Sequence, residues 1–341
     1  MVRQRAGSEG TVPAVEVSPL RQAGLRLRGL SRDRRGRVLA GFAVVVGGVL
    51  AFHRGVPNWP GRVGSLLESF LPWGGVLVVV LLIVALVRRS AVALVALLLP
   101  VGVWVDTFGG LLLPGEASGG GGGRELLVVQ HNVSDENRDP AGTARALSDV
   151  GADLVALEEL VDPQVAVYEK ALAADYPHHV VRGTVGLWSK HPLSGERMVD
   201  IKPPSIEEGW SRGLRAVVHS PYGDVAAYVA HLPSVRVGVG GLASERRDES
   251  AALLGRAVAG ESVEPVVLLG DLNGVVEDRG LRPLTSQLEF AESGFAFSFP
   301  AAFPLARIDQ VMARSATVGR IRTLPATGSD HLPVAARVAL R

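Results

Sequence analysis

Apolar positions are arranged in two ways along the chain. Between residues 38 and 113 they run almost unbroken. Residues 38–52 contain 15 positions without a charge and residues 69–87 contain 19. A third run starts at residue 90, is uncharged to Val105 and continues past Asp106 to Leu113. A bilayer core about 30 Å thick takes roughly 20 helical residues, and snorkelling and local thinning absorb a small shortfall. The pattern predicts three transmembrane helices within 38–113. Beyond residue 124 the apolar positions come in short bursts. Strands are expected over 125–133, 153–160, 214–220, 224–232, 265–273, 307–313 and 332–340. Helices are expected over 141–150, 164–174 and 242–258, where apolar residues recur at helical spacing. The two middle strands read as a hairpin turning at Pro221-Tyr222-Gly223.

Charge divides the chain at the same places. Residues 1–37 hold nine Arg against Glu9, Glu16 and Asp33 and read as a basic, mostly unstructured tail. Arg88 and Arg89 stand between the second and third runs. Arginine marks the cytoplasmic ends of membrane helices. Three crossings satisfy both clusters and place everything after residue 113 outside the cytoplasm. Residues 114–124 form a linker with five consecutive glycines at 119–123. Residues 125–341 follow as one α/β domain, long enough to bury a core. From residue 124 onward the chain carries 22 basic and 28 acidic residues, a net charge of −6. That balance argues against a surface that tracks a nucleic-acid backbone, which needs a basic stripe. The sequence has no cysteine, which excludes disulfides, Cys-zinc sites, iron–sulfur clusters and thiol nucleophiles.

Six segments of the domain end an apolar run with acids, amides or imidazoles. They are Gln130-His131-Asn132, Glu158-Glu159, His231, Asp271-Leu272-Asn273, Asp309 and Ser329-Asp330-His331. Oxygen-rich donors without thiols suit a hard ion, Mg²⁺ or Mn²⁺. Carboxylates combined with imidazoles then suit metal-assisted hydrolysis of phosphoesters.

In this order the segments resemble the endonuclease/exonuclease/phosphatase superfamily. An Asn follows the first strand and a Glu the second. A His-Leu, a Gly-Asp-Leu-Asn, an Arg-Ile-Asp and a terminal Ser-Asp-His come next, and residues 186–193 resemble a further family segment. The resemblance spans about residues 126–340. It implies a DNase I-like fold, a multi-layer α/β sandwich, and a divalent-metal-dependent phosphoester hydrolase. It also implies roles. Asn132, Glu159 and Asp330 match the metal-site residues, although Glu158 stands where the family usually has Gln. Asp271 and Asn273 resemble the pair that handles water and a phosphate oxygen, Asp309 and His331 the Asp–His couple, and His231 the residue on the scissile phosphate. One-metal and two-metal schemes both fit, and in the second Asp271 is a further ligand.

The basic tail, three spans and outward domain together resemble a group of actinobacterial membrane proteins that includes a teicoplanin-resistance protein. That resemblance implies a lipid bilayer as partner and a phosphorylated, lipid-linked substrate of cell-envelope synthesis. An anchored nuclease and a non-catalytic scaffold are the alternatives. Some residues stand outside the pattern. For Arg215 a phosphate contact and an ion pair both fit. His131 should face away from Asn132 and be structural. His178 and His179 have no partner in the pattern. Arg246 and Arg247 are expected on a solvated helix face, and Asp106 at a membrane interface.

Overall fold

A computed structural model describes residues 19–113 and 123–341. Helix α1 (Pro19–Phe52) opens the described chain. Residues 19–37 of the expected tail are therefore helical. Arg, Leu and Gln favour helix, Pro19 sits at the start where its missing N–H costs nothing, and the segment runs unbroken into the apolar stretch. Residues 1–18 of that tail, and 114–122 of the expected linker, lie outside the described residues.

Three helices follow: α2 (Val63–Ser69), α3 (Gly74–Val87) and α4 (Ala91–Leu112). The stretch Arg34–Gly55 and α4 each have 22 residues and are long and apolar enough to cross a membrane. The middle run differs from its expected single span. The chain bends by 61° between Val63–Ser69 and Leu71–Val87, so up to three crossings arise only if that pair counts as one. Pro72 and the Gly74-Gly75 pair break the helical path, and α3 alone has 14 residues. At 1.5 Å per residue it is about 21 Å long.

Two compact units result. In the first, described over residues 19–47 and 75–101, Leu39, Ala43, Ala85, Ala93 and Leu97 pack together. Phe42, Val45, Ile83, Val95 and Leu98 point outward and are exposed. Helices that are apolar on their outer faces suit a non-aqueous surround. Gly47 permits the close approach of α1 and α4, since a Cβ there would meet Leu99 Cγ at 2.8 Å.

The second unit holds residues 48–74 and 102–341. Its first part runs β1 (Glu125–Asn132), α5 (Pro140–Ser148), β2 (Leu154–Glu158), α6 (Gln164–Leu172), β3 (His178–Arg182) and β4 (Val185–Ser189). Then come β5 (Leu193–Met198), β6 (Gly213–Ser220), β7 (Gly223–Ala230) and the small hairpin β8 (Arg236–Gly238) with β9 (Gly241–Ala243). The chain continues through α7 (Glu245–Ala259), β10 (Val266–Asp271), β11 (Glu289–Phe290) and β12 (Asp309–Arg314). It ends with β13 (Ala316–Val318), β14 (Arg322–Thr323) and β15 (Val334–Leu340). One sheet runs β13-β15-β1-β2-β4-β3 with β14 on β15, and the other β11-β12-β10-β7-β6-β5. Alternate residues of each strand face opposite ways. Val128, Ala156, Ala227, Leu269 and Val311 fill the space between the sheets. Val129, Val155 and Leu157 face the layer of α5 and α6, while Tyr228, Leu268 and Met312 face α7. The order helix–sheet–sheet–helix is the expected α/β sandwich.

The segment between α1 and α3 packs within this unit. Glu68, buried, accepts from the Arg279 backbone N–H at 2.9 Å, from Nε at 2.9 Å and from Nη2 at 2.8 Å. Arg279 Nη1 donates to the Val56 carbonyl at 2.8 Å. Arg62 pairs with Asp248. The Trp73 indole N–H donates to the Leu305 carbonyl at 2.9 Å, and its ring stacks on Phe297. Residues 53–73 are thus a strap lashed to the sandwich by polar groups at several points.

Candidate active site

Parallel pairing puts the C-terminal ends of β1 and β2 side by side, and likewise those of β7 and β10. β12 runs antiparallel to β10, so Asp309 lies opposite Asp271. Asn132, Glu159, His231, Asp271, Asp309 and His331 are all brought to this end. Gly270 has a steric reason: a Cβ there would lie 1.9 Å from the Ala230 carbonyl oxygen of β7. Glu159 adopts φ 60°, a left-handed turn that ends β2 and swings its carboxylate into the site.

The centre is tightly wired. Asn132 Nδ2 donates to Glu159 Oε1 and to Asp271 Oδ2, each at 3.1 Å, and so bridges the two sheets. Its Oδ1 accepts from the Ser134 N–H, and Ser329 Oγ donates to the Asn132 carbonyl. His331 Nδ1 lies 2.9 Å from Asp309 Oδ2, and its Nε2 lies 3.8 Å from Asp271 Oδ2. His231 Nε2 lies 3.7 Å from the same Asp271 oxygen and 3.8 Å from Glu159 Oε1. The Asn273 backbone N–H donates to Asp271 Oδ1, and its side-chain amide donates to the Leu232 carbonyl. Asn273 therefore shapes the turn after β10. Asp330 is exposed, and the close carboxylate–imidazole cluster consists of Asp271, Asp309 and His331.

Burial and charge set the protonation of the cluster. Burial alone would lower His331, but the Asp309 and Asp271 carboxylates outweigh it and raise it to about 10. Burial would raise Asp309, yet the charge and hydrogen bond of His331 hold it below the usual range. Burial and the Asp309 charge push Asp271 up to about 7, against the pull of His331. Burial, then the cations of Arg212 and His331, push His231 well below its ordinary value, so it is a neutral imidazole. An ion pair, a neutral imidazole and a carboxyl near neutrality surround one point, which suits proton transfer to and from a reacting group.

Three residues without an assigned role join the site. Gln130 Nε2 donates to Asp309 Oδ1 at 2.9 Å and to Glu158 Oε2 at 2.8 Å. It stands two positions before Asn132 on β1, on the same face, and that spacing was its signal. Glu158 is fully buried. Its burial, with the charges of Asp309 and Asp271, raises it well above the carboxylate range and favours the neutral acid. Arg212 Nη1 lies 3.1 Å from His231 Nδ1. Nothing in Trp210-Ser211-Arg212 signals that contact in the sequence.

Other expectations change. Arg215 is taken by Glu261, with Nε and Nη2 each 2.9 Å from its carboxylate oxygens, and does not reach the site. Arg247 is buried rather than solvated and pairs with Asp278 and Asp248, because it lies on the inner face of α7. His131 is buried and lies 2.9 Å from Thr327 Oγ1, as a structural residue should. His179 pairs with Glu169 and stacks on Trp188.

The donors fit a hard divalent cation. Glu159 Oε1 and Asp271 Oδ2 both point at one amide, and a cation between them would balance their charge. Glu159 and Asp271 would hold the ion, with Asn132 beside them. When bound there, it would neutralise phosphate charge.

No curated protein matches the sequence. Solved structures do match in fold. An endonuclease/exonuclease/phosphatase from Beutenbergia cavernae is 22% identical, covering 64% of this chain and 72% of its own, with a TM-score of 0.51. Sphingomyelinase C from Streptomyces griseocarneus is 17% identical, covering 64% and 99%, also at 0.51. Staphylococcus aureus beta toxin with bound magnesium ions is 12% identical, covering 64% and 100%, at 0.51. Residues 129–331, more than half of the sequence, match the Endonuclease/Exonuclease/phosphatase family, and the chain belongs to it.

Proposed function

We propose that the protein is a membrane-anchored, extracytoplasmic, divalent-metal-dependent phosphoester hydrolase acting on lipid-linked phosphates of the cell envelope. The observation that carries the chemistry is the convergence of Glu159, Asp271 and Asn132 beside His231 and the Asp309–His331 pair. Members of the family are commonly phosphoester hydrolases that use divalent metals. His331, charged through Asp309, stabilises negative charge on the reacting phosphoryl group and donates a proton to the leaving oxygen. Asp271 orients or deprotonates the attacking water. Asn132 holds the two carboxylates in register, and the family resemblance makes Asp330, next in sequence to His331, a further ligand.

The strap supports the membrane reading. Residues 53–73 pack on the sandwich, and in this reading both lie on one face of the bilayer. If α1 and α4 cross, the chain must also cross back between residues 73 and 91. On this reading α3 is a crossing, whose short length local thinning accommodates. Nine N-terminal arginines and the Arg88–Arg89 turn then lie in the cytoplasm. Anchoring gives no gain on soluble polymers and a large gain in local concentration on bilayer substrates. The layout resembles the actinobacterial group noted from the sequence.

The test uses the full chain in detergent with Mg²⁺, Mn²⁺ or EDTA. Phosphate release from a short-chain polyprenyl phosphate or diphosphate is compared with plasmid nicking, with His331→Ala as control. Metal-dependent release that the variant lacks is expected. Nicking alone would make the protein an anchored nuclease. The natural absence of cysteine allows a topology check. In intact cells an impermeant maleimide should label Ser262→Cys and not Arg89→Cys, and the opposite pattern would reverse the orientation.

A further inference from the structure

Next to His231 lies a pocket of about 470 Å³, lined among others by Trp210, Arg212, Ser234, Arg236, Glu245 and Arg246. Its volume falls in the range of small-molecule sites, about 300–1,000 Å³. Four arginines packed against the sandwich are matched to acids: Arg62 to Asp248, Arg215 to Glu261, Arg247 to Asp278 and Arg279 to Glu68. Arg212, Arg236 and Arg246 are not. Among the described residues none of the three has a carboxylate within ion-pair distance. Glu245, the acid on the wall, is 3.6 Å from Arg62. Arg212 is half-buried, stands over the Trp210 ring at 5.2 Å and touches His231, so one guanidinium borders both the reacting centre and the pocket. The charges of Glu159, Asp271 and Asp135 reach Arg212, but no carboxylate contacts it directly, so its guanidinium is open to pair with an incoming anion.

A second cavity of about 920 Å³ adjoins the first, sharing Arg236, Ala243 and Glu245, and reaches Trp59 and Leu242. The order from the centre outward is reacting phosphoryl site, unpaired arginines, then a wall with apolar side chains. We propose that Arg212, Arg236 and Arg246 form a second phosphoryl subsite, and that the substrate is an organic diphosphate. This rests on the reading of the centre as a phosphoryl-transfer site. The terminal phosphoryl group sits at His231 and His331, the inner one among the arginines, and the organic chain leads toward Trp59. Water adds its oxygen to the terminal phosphorus and the bridging P–O bond breaks, leaving its electron pair on the inner phosphate. The products are an organic monophosphate and inorganic phosphate, and the water proton is released to solvent.

The experiment is calorimetric binding of methylenediphosphonate and of inorganic phosphate to the full chain in detergent, at one fixed free Mg²⁺ concentration. The diphosphonate should bind at least tenfold tighter than phosphate. Arg236→Ala with Arg246→Ala, both exposed positions, should remove most of that preference, and the double Lys replacement should restore part of it. Equal affinities for the two anions, or a preference the Ala pair leaves intact, would overturn the subsite. Hydrolysis of farnesyl phosphate and diphosphate is measured beside it. If the arginine-dependent preference holds and neither lipid is cleaved, the lipid reading fails and the subsite stands. Cleavage without the preference is the reverse result.

Discussion

Two groups of buried charge in the sandwich unit are built on opposite plans. Around the strap and α7, Arg279 and Arg247 each have their anions. Glu68 receives three donors from Arg279, and Arg247 sits between Asp278 and Asp248. At the end of β1, β2, β7 and β10 the charges do not cancel pairwise. Asp271 stands within 4 Å of two imidazoles yet accepts its hydrogen bonds from amides, and Arg212 abuts a neutral histidine. A saturated cluster holds a fold together and has nothing left to offer. An unsaturated one is costly in the empty protein and can be completed only by a ligand. The comparison separates structural arginines from binding arginines where sequence position does not.

The comparison is broken most severely at the centre. His331→Ala should lower phosphoester hydrolysis by about 10²–10⁴-fold, the usual weight of a positioned acid or base. Its thermal midpoint should fall as well, because Asp309 is left buried without its cation, so activity is compared on the folded fraction. Hydrolysis by that fraction at the parent level would place His331 with the structural clusters. Next comes the reverse case. Arg247→Met leaves Asp278 buried without its cation, at a cost of about 3–5 kcal/mol. Urea denaturation should show that loss, while the specific activity of the folded fraction is kept.

A smaller effect is expected at the strap. Glu68→Gln leaves the Arg279 donors partly unmatched, a cost of about 1–3 kcal/mol confined to residues 53–73. Faster amide exchange there, with unchanged exchange in β10 and β12, is the readout. If exchange rises throughout, the strap is part of the main folding unit. The smallest effect is on acid stability. Burial would raise Glu261, but Arg215, the Val263 N–H and Tyr228 outweigh it and lower it to about 2. A lowered carboxyl contributes stability that is present above its unfolded pKa. That contribution is lost as pH falls from about 4.5 toward 2. Glu261→Gln should flatten the denaturation midpoint over that window, and an unchanged slope would mean that the ion pair adds nothing there.

Much of this was readable from residue pattern alone. The hairpin of β6 and β7 was expected at its turn. β2 is buried on both faces, so it showed as an unbroken apolar run rather than an alternation. Asn132, Glu159, His231, Asp271, Asp309 and His331 were visible because each ends an apolar run with a polar group. Short edge strands such as β11, β13 and β14 have too few residues to carry a period. The arginines were read least well. Arg215 pairs with Glu261 46 residues away and Arg279 with Glu68 211 residues away, separations that leave no local signal.

The sequence by itself determined that apolar helices precede an α/β domain, that no thiol chemistry is available, and which polar groups stand at strand ends. These follow from periodicity and composition, which act over a few neighbouring residues. Only the tertiary structure decided that residues 53–73 strap the sandwich, that Gln130 holds Asp309, and that Arg212 touches His231. It also decided which arginines find an acid and which stay open to a ligand. Charge pairing acts through space at about 3–4 Å, and the distance between two groups in the folded protein is independent of their distance along the chain.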